Sequence, residues 1–239
     1  MNSVARVAVR RWNAWLPGIQ GQAACAQWAA GERAPAESDQ PDVAAVPAML
    51  RRRLGPLGKP VAAVAWDMLE PGDHQSLVFA SRHGDQAKTL QLLSEIGAGS
   101  PLSPAAFSMS VHNATAGLLS IAKKATGPHT ALSANSRLLS AAVIEAYGQL
   151  MSGARAVVCV LYDLPLPADY SYHDNQSCAY AVALELTLEE GRPLTLAACP
   201  SADLYMQEPE VIAWLRWWSA GAERALALKD GAGGWLWQS

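Results

Sequence analysis

One stretch of this 239-residue chain limits its fold more than any other: Gly127-Pro128-His129-Thr130-Ala131-Leu132-Ser133-Ala134-Asn135-Ser136-Arg137-Leu138-Leu139-Ser140. A Gly-Pro turn delivers a run of small and apolar residues, Thr130 to Ala134. The run stops at Asn135-Ser136, and a helical pattern begins at once. Leu139, Ala142, Val143, Ala146 and Leu150 recur at three- and four-residue steps, which places them on one helix face. Gly153 then suits a left-handed helix cap. Strand, sharp elbow and helix N-terminus together present one side chain, and the amides behind it, to a ligand. Ser136 occupies that elbow.

Around it, strand and helix patterns alternate. Ser3–Val9 alternates in β fashion, with Trp12 to Gly18 turning away from it. Residues 20–40 read as a short helix or an exposed loop, and helices are expected over Val46–Leu54 and Val61–Leu69. Gln75–Ser81 reads as a buried strand running into the polar loop Arg82–Asp85. Thr89–Ile96 follows as a helix with an apolar stripe of Leu90, Leu92, Leu93 and Ile96. Ser100–Pro104 is a stiff connector. The apolar run Ala156–Tyr162 predicts a strand covered on both faces, with Asp163 as its solvated end. After a polar loop over 165–177, Ala179–Leu188 and Leu194–Ala198 read as two strands around a hairpin turn at Glu189–Arg192. Glu208–Leu228 reads as a helix bearing Trp214, Trp217 and Trp218, and the chain closes on Trp235-Leu236-Trp237. These rings either belong to a docked helix with its tail tucked beneath, or cover a surface that another half of the fold would bury. The alternation argues an α/β fold in a single domain over residues 1–239, with a Trp-rich helix and tail at about 205–239.

Composition excludes several classes of function. Hydrophobic residues make up 51% and charged residues 16%, against a usual charged share of about 25%, so part of the exterior is expected to be covered by another protein. A formal net charge of −3 gives no electrostatic footprint for nucleic acid. Arg51-Arg52-Arg53 reads as a solvated helix face ahead of a contact with an acidic carrier protein. Cysteines 25, 159, 178 and 199 form no CxxC pair, with Cys159 and Cys199 read as small buried side chains. Histidines 74, 83, 112, 129 and 173 make no HExxH cluster, so no metal and no cofactor is expected. No signal peptide and no membrane-length apolar stretch is legible, which makes a cytoplasmic protein the expectation.

The residues before the elbow extend the pattern: Phe107-Ser108-Met109-Ser110-Val111-His112-Asn113-Ala114-Thr115-Ala116-Gly117, then a helix Leu118–Lys124 leading to Gly127-Pro128. From Gly117 through Gly153 this resembles, without gaps, the nucleophile elbow of the β-ketoacyl synthases. The resemblance covers roughly residues 1–200, is sharpest from about 100 to 165, and leaves the Trp-rich tail outside. It implies the N-terminal half of a thiolase-like (αβαβα) fold, without the second half. Ser136 stands where the synthases carry their catalytic Cys. A serine hydroxyl is far less acidic than a thiol and needs an adjacent base to attack; the two histidines that serve the synthases come from the second half.

That departure resembles the chain-length factors, the non-catalytic partners of ketosynthases, and among them the truncated partners of aryl polyene type II systems. It implies a heterodimer with a full-length, Cys-bearing β-ketoacyl synthase, with acyl carrier protein met indirectly. Phe107, Met109, Val111, Ala114 and Leu118, with Thr130, Leu132 and Ala134, are then the residues of the acyl channel and interface, and no residue is catalytic. Two alternatives stay open. One is an independent acyltransferase or esterase using Ser136, although the elbow lacks the glycines of GxSxG; the other is a purely structural scaffold. His112 and His129 read as hydrogen-bonded structural histidines.

Overall fold

Alternate residues of the 157–163 run point to opposite faces, and both sets are apolar, so the strand must lie between two layers. In the computed structural model, which describes residues 3–72, 74–173, 178–199, 208–230 and 233–239, it does. The chain opens with β1 (Ser3–Leu16), β2 (Ile19–Gln20) and α1 (Gly21–Ala29). Next come α2 (Ala48–Arg53) and α3 (Gly58–Ala65), the latter continued by a 3-10 turn over Trp66–Met68. β3 (Ser76–Ala80) leads to α4 (Gln86–Gly97), α5 (Pro104–Ser108) and α6 (Ala114–Lys123). β4 (His129–Leu132), α7 (Leu138–Met151) and β5 (Val157–Asp163) follow, then β6 (Tyr180–Thr187) and β7 (Arg192–Ala198). The C-terminal part is α8 (Glu210–Ser219), β8 (Leu226–Asp230) and β9 (Gly233–Gln238).

All described strands join one mixed sheet in the order β4-β3-β5-β6-β1-β7-β9-β8, with β2 attached to β1. β3 is parallel to β4 and β5, whereas the other neighbours are antiparallel. One face is packed by α1, α7 and α8 around Leu139, Val143, Val157, Cys159, Leu161, Trp214 and Trp237. The other is packed by α2, α3 and α6 around Val61, Val64, Leu77, Phe79, Leu119, Val158 and Val160. The α/β architecture and the doubly covered β5 agree with the sequence, as do the buried Cys159 and Cys199. Gly127 has a steric reason to be glycine: a Cβ there would lie 2.2 Å from the Gln75 carbonyl oxygen, where the chain passes beside β3 to enter β4.

Three expectations need correction. β1 does not turn away at Trp12 but runs on to Leu16, its register shifting between Val9 and Arg11 so that it serves two partners. β6 and β7 are no hairpin, because β1 lies between them: Ala8 pairs with both Thr187 and Pro193. Their connection is held tight against β1, since a Cβ on Gly191 (φ +126°) would lie 2.4 Å from the Val9 carbonyl oxygen. The Trp-rich helix stops at Ser219, where Gly221 and Ala222 take positive φ, and the tail returns as the β8–β9 hairpin. β9 pairs with β7, so the tail widens the sheet, and its Trp237 lies beneath α8 against Trp214, as the docked-helix reading expects. α4 is helical as read, and its apolar stripe is mostly outside: only Leu92 is buried, while Leu93 and Ile96 are 52% and 56% exposed. α4 packs on α5 rather than on the sheet, which leaves that stripe uncovered.

Candidate functional site at the carboxyl end of the sheet

The parallel strands β3, β4 and β5 end together, and in open α/β sheets this is the end where ligand sites form. The elbow over residues 133–137 lies there. It is tied to the loop after β3: the Ser133 hydroxyl donates to the Arg82 carbonyl (2.8 Å), and Arg82 Nε donates to Asn135 Oδ1 (3.1 Å). The Ser81 amide donates to the Leu132 carbonyl at 3.2 Å. α7 then runs back under the sheet with Leu139, Ala142, Val143, Ala146 and Leu150 buried, the face read from the sequence. It ends at Gly153, with φ at +107°. Ser136 is half-buried between strand and helix.

Behind the elbow sits a carboxylate that the sequence placed in solvent. Asp163 is fully buried. Its oxygens accept from Ser81 Oγ (2.8 Å), Tyr180 Oη (2.9 Å) and the amides of Arg82 and His83 (3.0 and 3.2 Å). Burial pushes its pKa up against the pull of these donors, and pushes Tyr180 well above the usual phenol range. The same node includes the Gly84 amide, which donates to Ser81 Oγ at 2.8 Å. His112 Nε2 lies 2.9 Å from the Ser81 carbonyl oxygen. His112 is thus hydrogen-bonded as expected, whereas His129 is exposed on β4.

A second carboxylate reaches the elbow from the other end of the chain. Glu210, the first residue of α8, is buried, and its Oε2 accepts from the Ser140 amide at 3.0 Å. Its Oε1 accepts from the Ser140 hydroxyl, and the Leu139 amide also donates to the carboxylate. A helix N-terminus leaves such amides without intrahelical partners, so an acceptor satisfies them. Burial still raises the Glu210 pKa to about 7, with the Ser140 and Leu139 donors and the Arg137 charge acting to lower it. Sequence reading missed both carboxylates. Asp163 closes a seven-residue buried strand, and Ser140 interrupts an apolar helix face; each is a polar residue in a position that demands a partner.

The residues assigned to a channel and interface separate into outward and inward sets. Phe107 and Val111 are 59% and 47% exposed. α5, which carries Phe107, is fixed by Ser103 accepting from the Ala106 amide (3.3 Å) with Pro104 opening the helix. Ala114 is half-buried at the start of α6, and Met109 packs against the core that holds Leu118, which is itself buried. On β4, Thr130 donates to Glu145 of α7 at 3.0 Å. Leu132 and Ala134 pack on the opposite core. β4 is an edge strand of the sheet among the described residues. Two clefts of about 430 and 460 Å³ open beside the 31–41 loop with Cys178 common to both, and no elbow residue lines either. Among the described residues no three of His, Cys, Asp and Glu are grouped to hold a metal ion, and no helix is long and apolar enough to cross a membrane.

Residues 25–238 match the β-ketoacyl synthase, N-terminal domain, family. The chain belongs to that family. The match takes in the Trp-rich tail, which the resemblance read from the sequence left outside. Among solved structures, this synthase-family domain is similar to a chain of the complex between the ketosynthase ApeO and its chain length factor ApeC from Xenorhabdus doucetiae. That likeness has a TM-score of 0.87 at 23% identity and covers 100% of both chains. The ishigamide ketosynthase/chain length factor gives a TM-score of 0.63 at 13% identity, over 83% of this chain and 68% of that one. A chain of AntDE:AntF, a type II polyketide synthase acyl-carrier protein in complex with its ketosynthase, gives 0.59 at 17% identity, over 83% and 70%. No curated protein matches. The fold is the N-terminal half of the thiolase-like architecture that the elbow sequence implied.

Proposed function

We propose that the chain is a non-catalytic, chain-length-factor-like subunit that pairs with a Cys-bearing β-ketoacyl synthase and shapes its acyl channel, in polyene, fatty-acid or polyketide biosynthesis. The observation that carries this reading is the strand, elbow and helix over 129–151, where the sequence resemblance puts Ser136 in place of the synthase Cys. The end-to-end likeness to a chain of a ketosynthase–chain length factor complex supports it. So does the surface near the elbow. β4 leaves one edge unpaired, and open edges are the usual template for a strand from another chain. Leu93, Ile96, Leu102, Phe107 and Val111 are exposed on α4, α5 and the segments that flank α5. An exposed apolar surface and an open edge each suit a permanent partner better than water.

The role in this reading is steric. Phe107 and Val111 face outward and Ala114 follows them, so this segment supplies the wall that a growing acyl chain meets inside the partner. Each buried methylene favours filling by about 0.8 kcal/mol, until the wall stops further extension. Thr130, Leu132 and Ala134 hold that wall at a fixed depth from the shared edge. Carrier protein is met through the partner, and the chain works as a soluble cytoplasmic subunit.

Co-expression with a Cys-bearing synthase, followed by size-exclusion chromatography and product analysis, tests the reading. A stable heterodimer is expected, with Phe107→Ala lengthening products by one or two extension units and Ala114→Phe shortening them. An intact complex with unchanged product lengths would remove these residues from the channel. An acyl adduct on Ser136, detected by mass spectrometry after exposure to an activated thioester, would favour an independent acyltransferase instead.

A further inference from the structure

The Trp-rich C-terminal block is closely packed and meets the elbow from two sides. Trp214 and Trp218 stack at 5.1 Å between ring centroids, and Trp237 meets Trp214 edge-on at 6.4 Å. All three rings are buried against the face that α7 also covers. α8 has no side chain capping its own start, since Pro209 stands there. Its first residue, Glu210, instead turns its carboxylate to the start of α7, where the Leu139 and Ser140 amides and the Ser140 hydroxyl donate to it. From the elbow side, the Arg137 guanidinium lies 5.8 Å from the centre of the Trp235 ring on β9. It also approaches Gly233, where a Cβ would stand 3.6 Å from it. Residues 137–140 are therefore held by α8 and by β9 at once.

We propose that this block is an intramolecular clamp on the elbow and that Glu210 is its positioning residue, fixing the first turn of α7 and so the placement of Ser136 and of the strand before it. Glu210 does not touch substrate in any reading; it acts through the α7 amides. The consequence for product length rests on the function proposed above, but the clamp itself is a property of this chain. Three groups face the carboxylate: Ser140 from α7, Arg137 from the elbow, and Tyr180 from β6, whose phenol is bonded to Asp163. Burial brings Glu210 to about 7, so the clamp changes protonation near neutral pH. Because the raised value belongs to the closed fold, protonation favours the clamp and ionisation loosens it, so protection of the first α7 turn should fall as pH rises through about 7.

Hydrogen exchange of peptides covering 137–145 in the full chain, corrected for intrinsic rate, tests this. Glu210→Ala should speed exchange of the first α7 turn at least tenfold while β3 and β5 stay within threefold of wild type. Glu210→Gln, which keeps an acceptor, should restore protection to within threefold, and should abolish the change in wild-type protection between pH 6 and 8. Trp235→Leu should loosen the same peptide through Arg137. Unchanged exchange in Glu210→Ala, or an acceleration spread evenly over the chain, overturns the clamp. So does a pH response that persists in Glu210→Gln. In complex with a synthase, Glu210→Ala should broaden the product-length distribution where Phe107→Ala shifts it. Faster exchange at 137–145 with an unaltered distribution keeps the clamp and counts against the chain-length reading alone.

Discussion

Glu185 and Asp163 lie on adjacent strands, β6 and β5, toward opposite ends of the same sheet, and both side chains are fully buried. Glu185 is held by cations: Arg10 donates to one oxygen, Arg11 Nε donates to the other at 2.5 Å, and Gln75 Nε2 adds a bond at 3.2 Å. Burial alone would raise its pKa, but the two guanidinium groups outweigh burial and hold it below the ordinary glutamate range. Asp163 is instead surrounded by a hydroxyl, a phenol and two amides, and its pKa goes up. Glu210, at the same end as Asp163, is likewise raised. The difference separates a structural ion cluster from a polar node. A carboxylate with two arginines stays charged and fixes two strands. Carboxylates held mainly by neutral donors at a strand-and-elbow junction lack the paired guanidinium groups that offset burial at Glu185, and their pKa values go up.

The largest effect should come from removing an acceptor at the node. Asp163→Ala strands the Ser81 hydroxyl, the Tyr180 phenol and the amides of Arg82 and His83 in the interior, a loss of about 3–5 kcal/mol by chemical denaturation. Replacing the carboxyl oxygens by an amide sharpens the comparison. Asp163→Asn keeps one oxygen for the backbone donors, and its NH2 can donate to a reoriented Tyr180, so about 1 kcal/mol is expected. Glu185→Gln loses two charge-assisted bonds and should cost about 2–3 kcal/mol. A greater loss at Asp163 than at Glu185 in the amide pair would break the distinction drawn between the two ends.

Stability should depend on pH with opposite signs at the two ends. Because Glu185 is depressed in the fold, its contribution is present above its unfolded pKa of about 4.3 and is lost as pH falls through the folded value. Glu210 is raised, so its contribution is complete below its unfolded pKa and is lost as pH rises through about 7. Over that window the loss is about 4 kcal/mol at most. Denaturation midpoints of wild type and Glu210→Gln should therefore converge near pH 4.5 and separate by pH 8, with the variant less sensitive to alkali. Parallel curves over this range would mean that Glu210 does not titrate there.

Much of the elbow was legible because its physics is local. A Gly-Pro entry, a short small-residue strand and a helix stripe each specify backbone without reference to distant residues, and Gly127 is required by a 2.2 Å approach to Gln75. What could not be read depends on long-range pairing. The 14-residue β1 looked like a shorter strand because its second half pairs with β6 and not β7, a change of partner that no local pattern records. The helix read over Glu208–Leu228 was too long because Leu and Ala serve a helix face and an edge strand equally well; only pairing of β8 with β9 decides for residues 226–228. Asp163 looked solvated for the same reason, since its donors come from two other segments, residues 81–83 and Tyr180.

The smallest effect is expected at Ser136, and it decides whether the carboxyl end of the sheet does chemistry or only holds shape. Burial, the strand before it and the helix behind it place this serine as a nucleophile would be placed. The buried carboxylates around it serve other donors: Asp163 accepts from Ser81, Tyr180 and the β3 loop, and Glu210 accepts from α7. Neither is directed to raising the nucleophilicity of a hydroxyl, and a serine hydroxyl is far less acidic than the thiol the synthases carry. Ser136→Ala should therefore leave the elongation rate of the synthase complex within about threefold, or about 0.65 kcal/mol at 25 °C, with an unchanged denaturation midpoint. Glu210→Ala, measured on the same samples, should disturb the elbow far more although it lies outside it. A drop of several orders of magnitude for Ser136→Ala would invert that ranking. The node would then be the environment of an active nucleophile, and the contrast with Glu185 would become one between a structural cluster and a catalytic one.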